Sequence, residues 1–198
     1  FAGGTSVPLF LENAYMIHIV DNFYKNPDSV REFALSLDFN ISGNYPGLRT
    51  DPCSDAGNYI EEMKTSFENI INKKITHFPL DEYNTSFQYT TWKDSTWVHH
   101  DAMSYAAVVY LHPHPMLDSG TSMYRHKTTG IMRHEEGQPD FNKISTSMED
   151  WEIVNEVKNI YNRAVIYDSQ YYHCSTIPGF GMGKEDGRLF QTFFFEAE

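Results

Sequence analysis

Trp97-Val98-His99-His100-Asp101, followed closely by Ala106-Ala107-Val108-Val109-Tyr110-Leu111, is the stretch whose reading decides the fold. Both pieces have the length and the β-branched and aromatic content of short strands. A strand turns side chains i and i+2 to one face, so His99 and Asp101 point together while His100 points away. That pair offers two ligands for a single metal ion. A third sits far down the chain, in Tyr172-His173-Cys174. If the fold returns His173 to the same point, two imidazoles and one carboxylate lie on one side of an ion. Such a facial set suits non-haem Fe(II) and leaves coordination positions open.

Working outward, strand-like runs recur at residues 86–91, 97–101, 106–111, 121–126, 163–167 and 189–195, separated by Gly, Pro, Asn and Asp turns. Short strands at this spacing predict a sandwich or barrel, and a cupin-like double-sheet jelly roll, the double-stranded β-helix, fits best. Ahead of them the pattern differs. Residues 15–20 read as a strand. Residues 28–37 carry Val30, Phe33, Ala34 and Leu37 at helical spacing, with Pro27 or Asp28 at the start. Residues 45–52 are a turn-rich connector, and 59–72 repeat Ile60, Met63, Phe67, Ile70 and Ile71 as a second amphipathic helix. The expectation is one domain over 1–198, helical to about residue 75 and jelly roll from about 76. Residues 127–150 are polar and aperiodic, with Gly130, Gly137 and Pro139, and predict a long loop over the barrel mouth. Residues 149–162 fit a short helix, a strand, or one followed by the other.

Composition narrows the functions. With 15 Lys and Arg against 27 Asp and Glu, the surface is acidic and a general affinity for nucleic acid is excluded as a first reading. The 13 Tyr and 14 Phe suit a β-rich core and an aromatic-lined pocket. Only two cysteines occur, Cys53 and Cys174, so no disulfide framework is expected and a reducing interior is preferred. No apolar run reaches the roughly 18 residues of a membrane span. Phe1-Ala2-Gly3-Gly4 lacks the features of a secretion signal and starts without Met, as a trimmed chain would. The expected location is cytoplasmic, in a bacterium or in the host of a phage. Composition sets no oligomeric state.

The chain has nine His, so the choice among them needs defending. His112-Pro113-His114-Pro115 is a rival HxH, but its prolines cannot donate to a sheet ladder and mark a strand end. His112 and His114 therefore read as loop residues, and His18 and His77 as structural. His126 and His134 flank the expected lid, where they and Arg133 are candidate substrate contacts. Arg49, in the Tyr-Pro-Gly turn, is a further candidate at the mouth. Beyond His173, Gly179, Gly181, Gly183 and Gly187 should fold the chain back so that Arg188 opens a strand beside the metal. A buried Arg needs an anionic partner. A bidentate clamp on a ligand carboxylate meets that need; pairing with Asp168 or Asp186 is the bland alternative. Thr192 shares the face of Arg188 and is a second candidate there.

With these residues in view, the sequence resembles the Fe(II)- and 2-oxoglutarate-dependent dioxygenase superfamily, in the branch similar to prolyl 4-hydroxylase. The resemblance rests on His99-His100-Asp101, Val108-Val109-Tyr110-Leu111, Gly120-Thr121-Ser122-Met123-Tyr124, His173 and Arg188, and spans roughly residues 86–195. Asp21-Asn22-Phe23-Tyr24 and Tyr45-Pro46-Gly47-Leu48-Arg49-Thr50 look like uncharacterised bacterial and phage members. Prolyl hydroxylases usually carry Lys where this chain has Arg188. The family's co-substrate Tyr has Tyr89 as its candidate, since Thr96 stands three before His99. The resemblance implies that His99, Asp101 and His173 hold Fe(II), and that Arg188 takes the far carboxylate of 2-oxoglutarate. With O2 as the other co-substrate, it implies hydroxylation of a peptidyl or free amino acid or a small metabolite, yielding succinate and CO2. Two other classes stay open: a cupin-like metal-binding jelly roll without oxygenase activity, and a hydrolase using Zn, which accepts the same ligand types.

Overall fold

Arg188–Ala197 forms the longest strand of the chain and shows how the core is divided. Leu189, Phe193 and Phe195 face one way, into a cluster shared with helices; Phe190 and Phe194 face the other, towards a second sheet. The same two-residue period runs along Tyr105–Tyr110, where Ala107 and Val109 join the helical side and Ala106 and Tyr110 the other. A strand apolar on both faces belongs in the middle of a layered fold.

The computed structural model describes residues 7–10, 16–53, 58–80 and 83–198. Its strands are β1 (Val7–Phe10), β2 (Met16–Val20), β3 (Ile41–Gly43), β4 (Tyr45–Arg49), β5 (Ile75–His77), β6 (Phe87–Thr90), β7 (Tyr105–Tyr110), β8 (Thr121–His126), β9 (Trp151–Val157), β10 (Ala164–Asp168), β11 (His173–Ser175) and β12 (Arg188–Ala197). The helices are α1 (Pro27–Ser36), α2 (Tyr59–Ile71) and the short α3 (Phe141–Ile144). The larger sheet runs β1-β2-β10-β7-β12-β6-β4-β3, with β5 also paired to β12; the smaller runs β11-β8-β9. Each recorded pairing is antiparallel. The protein is mainly β, with α1 and α2 against the larger sheet and α3 against the smaller one.

One face of the larger sheet is covered by α1 and α2. Asn26 caps α1 through its side chain, and Pro27 opens the helix where a missing N–H costs nothing. Along α2, Ile60, Met63, Phe67 and Ile71 are buried at helical spacing, and Phe67 stacks on Phe195 at 5.3 Å while meeting Phe193 edge-on. The helix stops at Asn72, whose left-handed backbone (φ 54°) is tolerated by Asn. The other face packs on the smaller sheet, where Met123 and Val157 meet Ala106, Tyr110, Val165 and Phe190.

Several expectations hold. Both long amphipathic helices form, and strands occupy residues 105–110, 121–126, 164–168 and 188–197. Tyr15, the expected start of the first strand, and Phe1-Ala2-Gly3-Gly4 lie outside the described residues. Others are corrected. Residues 97–101 make no strand ladder; His99 alone forms a bridge, to His173. The connector at 45–52 contains β4, whose Tyr45, Leu48 and Arg49 pair with β3 and β6 in spite of Pro46 and Gly47. The loop at 127–150 holds α3; for residues 149–162 the open alternative of a short helix followed by a strand holds, as a 3-10 turn at Met148–Asp150 and β9. Among the described residues, no helix is long and apolar enough to cross a membrane.

Candidate metal centre

The three candidate ligands converge for a reason that begins in the backbone. His99 and His173 form an antiparallel bridge: His99 donates its N–H to the carbonyl of His173 at 3.0 Å and accepts from the N–H of His173 at 2.7 Å. Residues directly opposite across such a bridge place their side chains on the same face. The imidazole centroids lie 4.6 Å apart. Asp101, two residues on, turns to that face, and its own N–H is held by the carbonyl of Ser169 at 2.9 Å. One bridge therefore does what a full ladder was expected to do.

The ring nitrogens are oriented as ligands need. His99 Nδ1 lies 3.0 Å from the Trp97 carbonyl and His173 Nδ1 lies 2.7 Å from that of Tyr171. Each bond commits Nδ1–H and leaves Nε2 with its lone pair. Asp101 then lies with Oδ2 3.3 Å from His173 Nε2 and Oδ1 3.7 Å from His99 Nε2. One ligand atom from each residue falls within 4.8 Å of the others. Bonds of about 2.1 Å at right angles separate ligand atoms by roughly 3 Å, close to this arrangement. Burial lowers the pKa of His99, favouring the neutral imidazole that binds metal. Burial alone would raise the Asp101 carboxyl, but His173, His99 and Arg49 outweigh it and hold the group below its usual range.

These residues line a cavity of about 990 Å³ that also receives Arg188 and Arg49. Arg188 is 3% exposed. Its Nε donates to the Ser119 carbonyl and its Nη2 to that of Gly120 at 3.4 Å, while its guanidinium lies 4.3 Å from the centroid of Phe190. Burial lowers its pKa, and Tyr110 partly restores it. Asp168 pairs with Arg133, and Asp186 accepts the N–H groups of Met182 and Gly183, so neither neutralises Arg188. Among the described residues it has no carboxylate partner.

The remaining candidates divide. Arg49 does reach the cavity, from β4. Tyr89 does not: alternation along β6 sends Gln88 into the cavity and Tyr89 to the helical side, against Phe39 at 5.2 Å. Thr192 lines the cavity, but its hydroxyl donates to the carbonyls of Tyr83 and Ser86. Four strand residues also separate it from Arg188 by about 13 Å, too far to share one small carboxylate. His126 falls on the outer face of β8, between Phe141 and Trp151, and bonds Thr129 and Ser145. His134 stacks on His100 at 4.1 Å, and Arg133 binds Asp168 at 3.0 Å; neither lines the cavity.

Sequence reasoning also missed residues. Tyr110 shares a 2.8 Å hydrogen bond with Thr121 beside Arg188, a link that the inward alternation of β7 and β8 makes possible. Tyr167 sets its ring edge-on to His173 at 4.7 Å. Asn142, inside the supposed lid, holds the His100 backbone at both ends: its side-chain oxygen accepts the N–H and its amide donates to the carbonyl, each at 3.0 Å. No sequence signal separates that Asn from its polar neighbours.

The fold has solved counterparts. HygX from Streptomyces hygroscopicus, with nickel and 2-oxoglutarate bound, is similar with a TM-score of 0.57 and 12% identity over 90% of this chain and 82% of that one. Its structure with nickel, 2-oxoglutarate and hygromycin B gives 0.55 at the same identity and coverage. The Fe(II)/α-ketoglutarate-dependent dioxygenase TqaL gives 0.45 at 11% identity over 86% of this chain and 74% of that one. No curated protein matches by sequence. Over residues 6–195 the sequence matches a family of unknown function, DUF6445, and the chain belongs to it.

Proposed function

We propose that this protein is an Fe(II)- and 2-oxoglutarate-dependent dioxygenase built on a double-stranded β-helix, hydroxylating an amino-acid side chain, peptidyl or free, or a small metabolite. The observation that carries the reading is the coincidence of two features on one cavity: a donor set of two imidazoles and one carboxylate, and a buried guanidinium with no carboxylate of its own. The donors fit the metal chemically. Both Nε2 atoms are free of hydrogen bonds to carbonyls, and one carboxylate with two neutral ligands leaves an Fe(II) site open to further ligands. The fold likeness to HygX, solved with nickel and 2-oxoglutarate, points the same way.

In this reading His99, Asp101 and His173 hold the iron, and Arg188 receives the C5 carboxylate of 2-oxoglutarate. The iron with its oxoacid supplies activation of O2, with succinate and CO2 as co-products. The chain's part is positioning. Two backbone carbonyls fix the Nε and Nη2 edge of Arg188, and the Phe190 ring backs its plane, so the fork presents one orientation to a carboxylate. Tyr110, bonded to Thr121, packs beside it with its ring centroid 5.5 Å from the guanidinium. Asn142 and the Ser169 carbonyl fix the segment from His100 to Asp101, so the donors do not depend on a ladder.

Anaerobic addition of Fe(II) and then 2-oxoglutarate tests the reading. The expected result is a visible charge-transfer band, which requires a bidentate oxoacid on Fe(II). Its absence would return the protein to the metal-binding jelly roll or the zinc hydrolase. A screen of peptides and free amino acids, scored by succinate release, then finds the substrate.

A further inference from the structure

Arg49 is the second buried guanidinium of the cavity, at 7% exposure. It stands opposite Gln88 in the β4–β6 register, and its Nε donates to Gln88 Oε1 at 2.7 Å. Gln88 is in turn tied to the Pro46 carbonyl, so the amide cannot swing away. The guanidinium plane lies 3.8 Å from the centroid of the Tyr45 ring and 5.1 Å from that of Tyr83. Burial makes its charge costly and pushes its pKa down to about 10. Ring faces offset part of that cost. They supply no hydrogen-bond acceptors.

Its Nη1 and Nη2 make no hydrogen bond among the described residues, where the guanidinium's one side-chain bond is that of Nε. Asp101 is the carboxylate that feels Arg49, but both its oxygens face the imidazoles of the donor set. A metal there would draw on the same charge and leave Arg49 uncompensated. The two Nη groups therefore form a fork open to the cavity, on the donor set's side. A planar anion with two oxygens matches that fork. Tyr45, Tyr83 and Phe194 surround it with aromatic surface, and Trp97 and Met103 line the same cavity. A carbon body of modest size fits beside the charge.

We propose that Arg49 determines specificity by receiving a carboxylate of the substrate, and that the substrates are small free carboxylic acids with an apolar or aromatic body. The proposal deepens the oxygenase reading and rests on it for the reaction, though not for the binding. In an acidic protein of net charge −12 an anionic substrate is repelled on average, so a buried cation is what admits it. Rejection of a neutral analogue follows from the same charge, since an amide would leave the fork unpaired.

The test is isothermal titration with benzoate, phenylacetate and L-phenylalanine, each against its own amide, and with an N-acetylated pentapeptide carrying Glu against the same peptide carrying Gln. Titrations run on the metal-free protein and on protein holding Ni(II) and excess 2-oxoglutarate, which keeps Arg188 engaged. The expected result is that at least one free acid binds tenfold or more tightly than its amide. In R49Q the ratio should fall to within about twofold, while 2-oxoglutarate affinity changes less than threefold. R49K, which keeps the charge and loses the fork, should retain a ratio of about three and serves if R49Q does not fold. The proposal is overturned if no free acid outbinds its amide, if the preference survives in R49Q, or if only the Glu peptide is preferred. Failure of the oxygenase reading looks different: no charge-transfer band forms in the wild-type protein, while the acid-to-amide ratio is still measured without metal.

Discussion

The cavity has two buried arginines, and the difference between their settings is instructive. Arg188 begins β12, in the interior of the larger sheet, and is gripped by the carbonyls of Ser119 and Gly120. Arg49 ends β4, near the sheet edge, and rests on the faces of Tyr45 and Tyr83 with one amide contact. Carbonyls are directional acceptors, so they hold a guanidinium in one pose. A ring face attracts the charge over a broad area and tolerates sliding. The first setting suits a ligand that is the same in every turnover. The second suits a ligand whose body varies while its charge does not. A co-substrate and a substrate differ in that respect.

The most drastic way to break the comparison is to remove a donor from the set that shares the cavity with both arginines. Asp101→Ala should abolish Fe(II) binding and lower succinate formation by a thousandfold or more, with metal content and turnover as the readouts; full turnover would dismiss the ligand assignment. Next comes the rigid pole. Arg188→Leu removes a charge-assisted pair of about 2–5 kcal/mol, so 2-oxoglutarate should bind about a hundredfold more weakly. The acid-to-amide preference at the other pole should persist. An unchanged 2-oxoglutarate dissociation constant would take Arg188 out of the site. The sliding pole is softer. Tyr45→Leu removes a ring contact of about 0.5–2 kcal/mol, so carboxylate affinity should fall about two- to thirtyfold and 2-oxoglutarate affinity should hold. Equal losses for both ligands would erase the distinction between the poles.

How much of this was legible in the sequence depends on whether a rule of periodicity applied. The apolar run along residues 189–195 announces a strand, and the structure makes it β12, the spine of the larger sheet, with apolar side chains on both faces. The same rule pairs His99 with Asp101 on one face, although no ladder forms there. The period of two survives because an extended chain needs no partner strand to alternate its side chains. Tyr89 fails for the opposite reason. Residue type alone favours it as the co-substrate Tyr, whereas the alternation of β6 turns it to the helical side. Segment 127–150 was legible only as polar. Its Gly and Pro content announces turns but not where they dock, and the Asn142 contacts to the His100 backbone join residues 42 apart in the chain. Arg49 was read as part of a turn. Its burial follows from β4 joining the sheet beside β6, a long-range pairing no local pattern encodes.

A third arginine sets the lower limit of the comparison. Arg133 was expected at the substrate, yet its Nε lies 3.0 Å from Asp168 Oδ2, with 39% of its side chain exposed and its guanidinium 5.9 Å from the centroid of Tyr171. It has the carboxylate that Arg188 and Arg49 lack, and it has water. An exposed pair of this kind contributes about 0–1 kcal/mol, because solvent screens the attraction and ordering two side chains costs entropy. Arg133→Ala should therefore lower the unfolding free energy by at most about 1 kcal/mol, measured by urea titration. It should leave 2-oxoglutarate affinity and the acid-to-amide ratio within twofold of wild type. A tenfold change in either would mean that the segment carrying Arg133 closes over the cavity during turnover. The absence of a carboxylate partner would then no longer be what marks a working arginine in this fold.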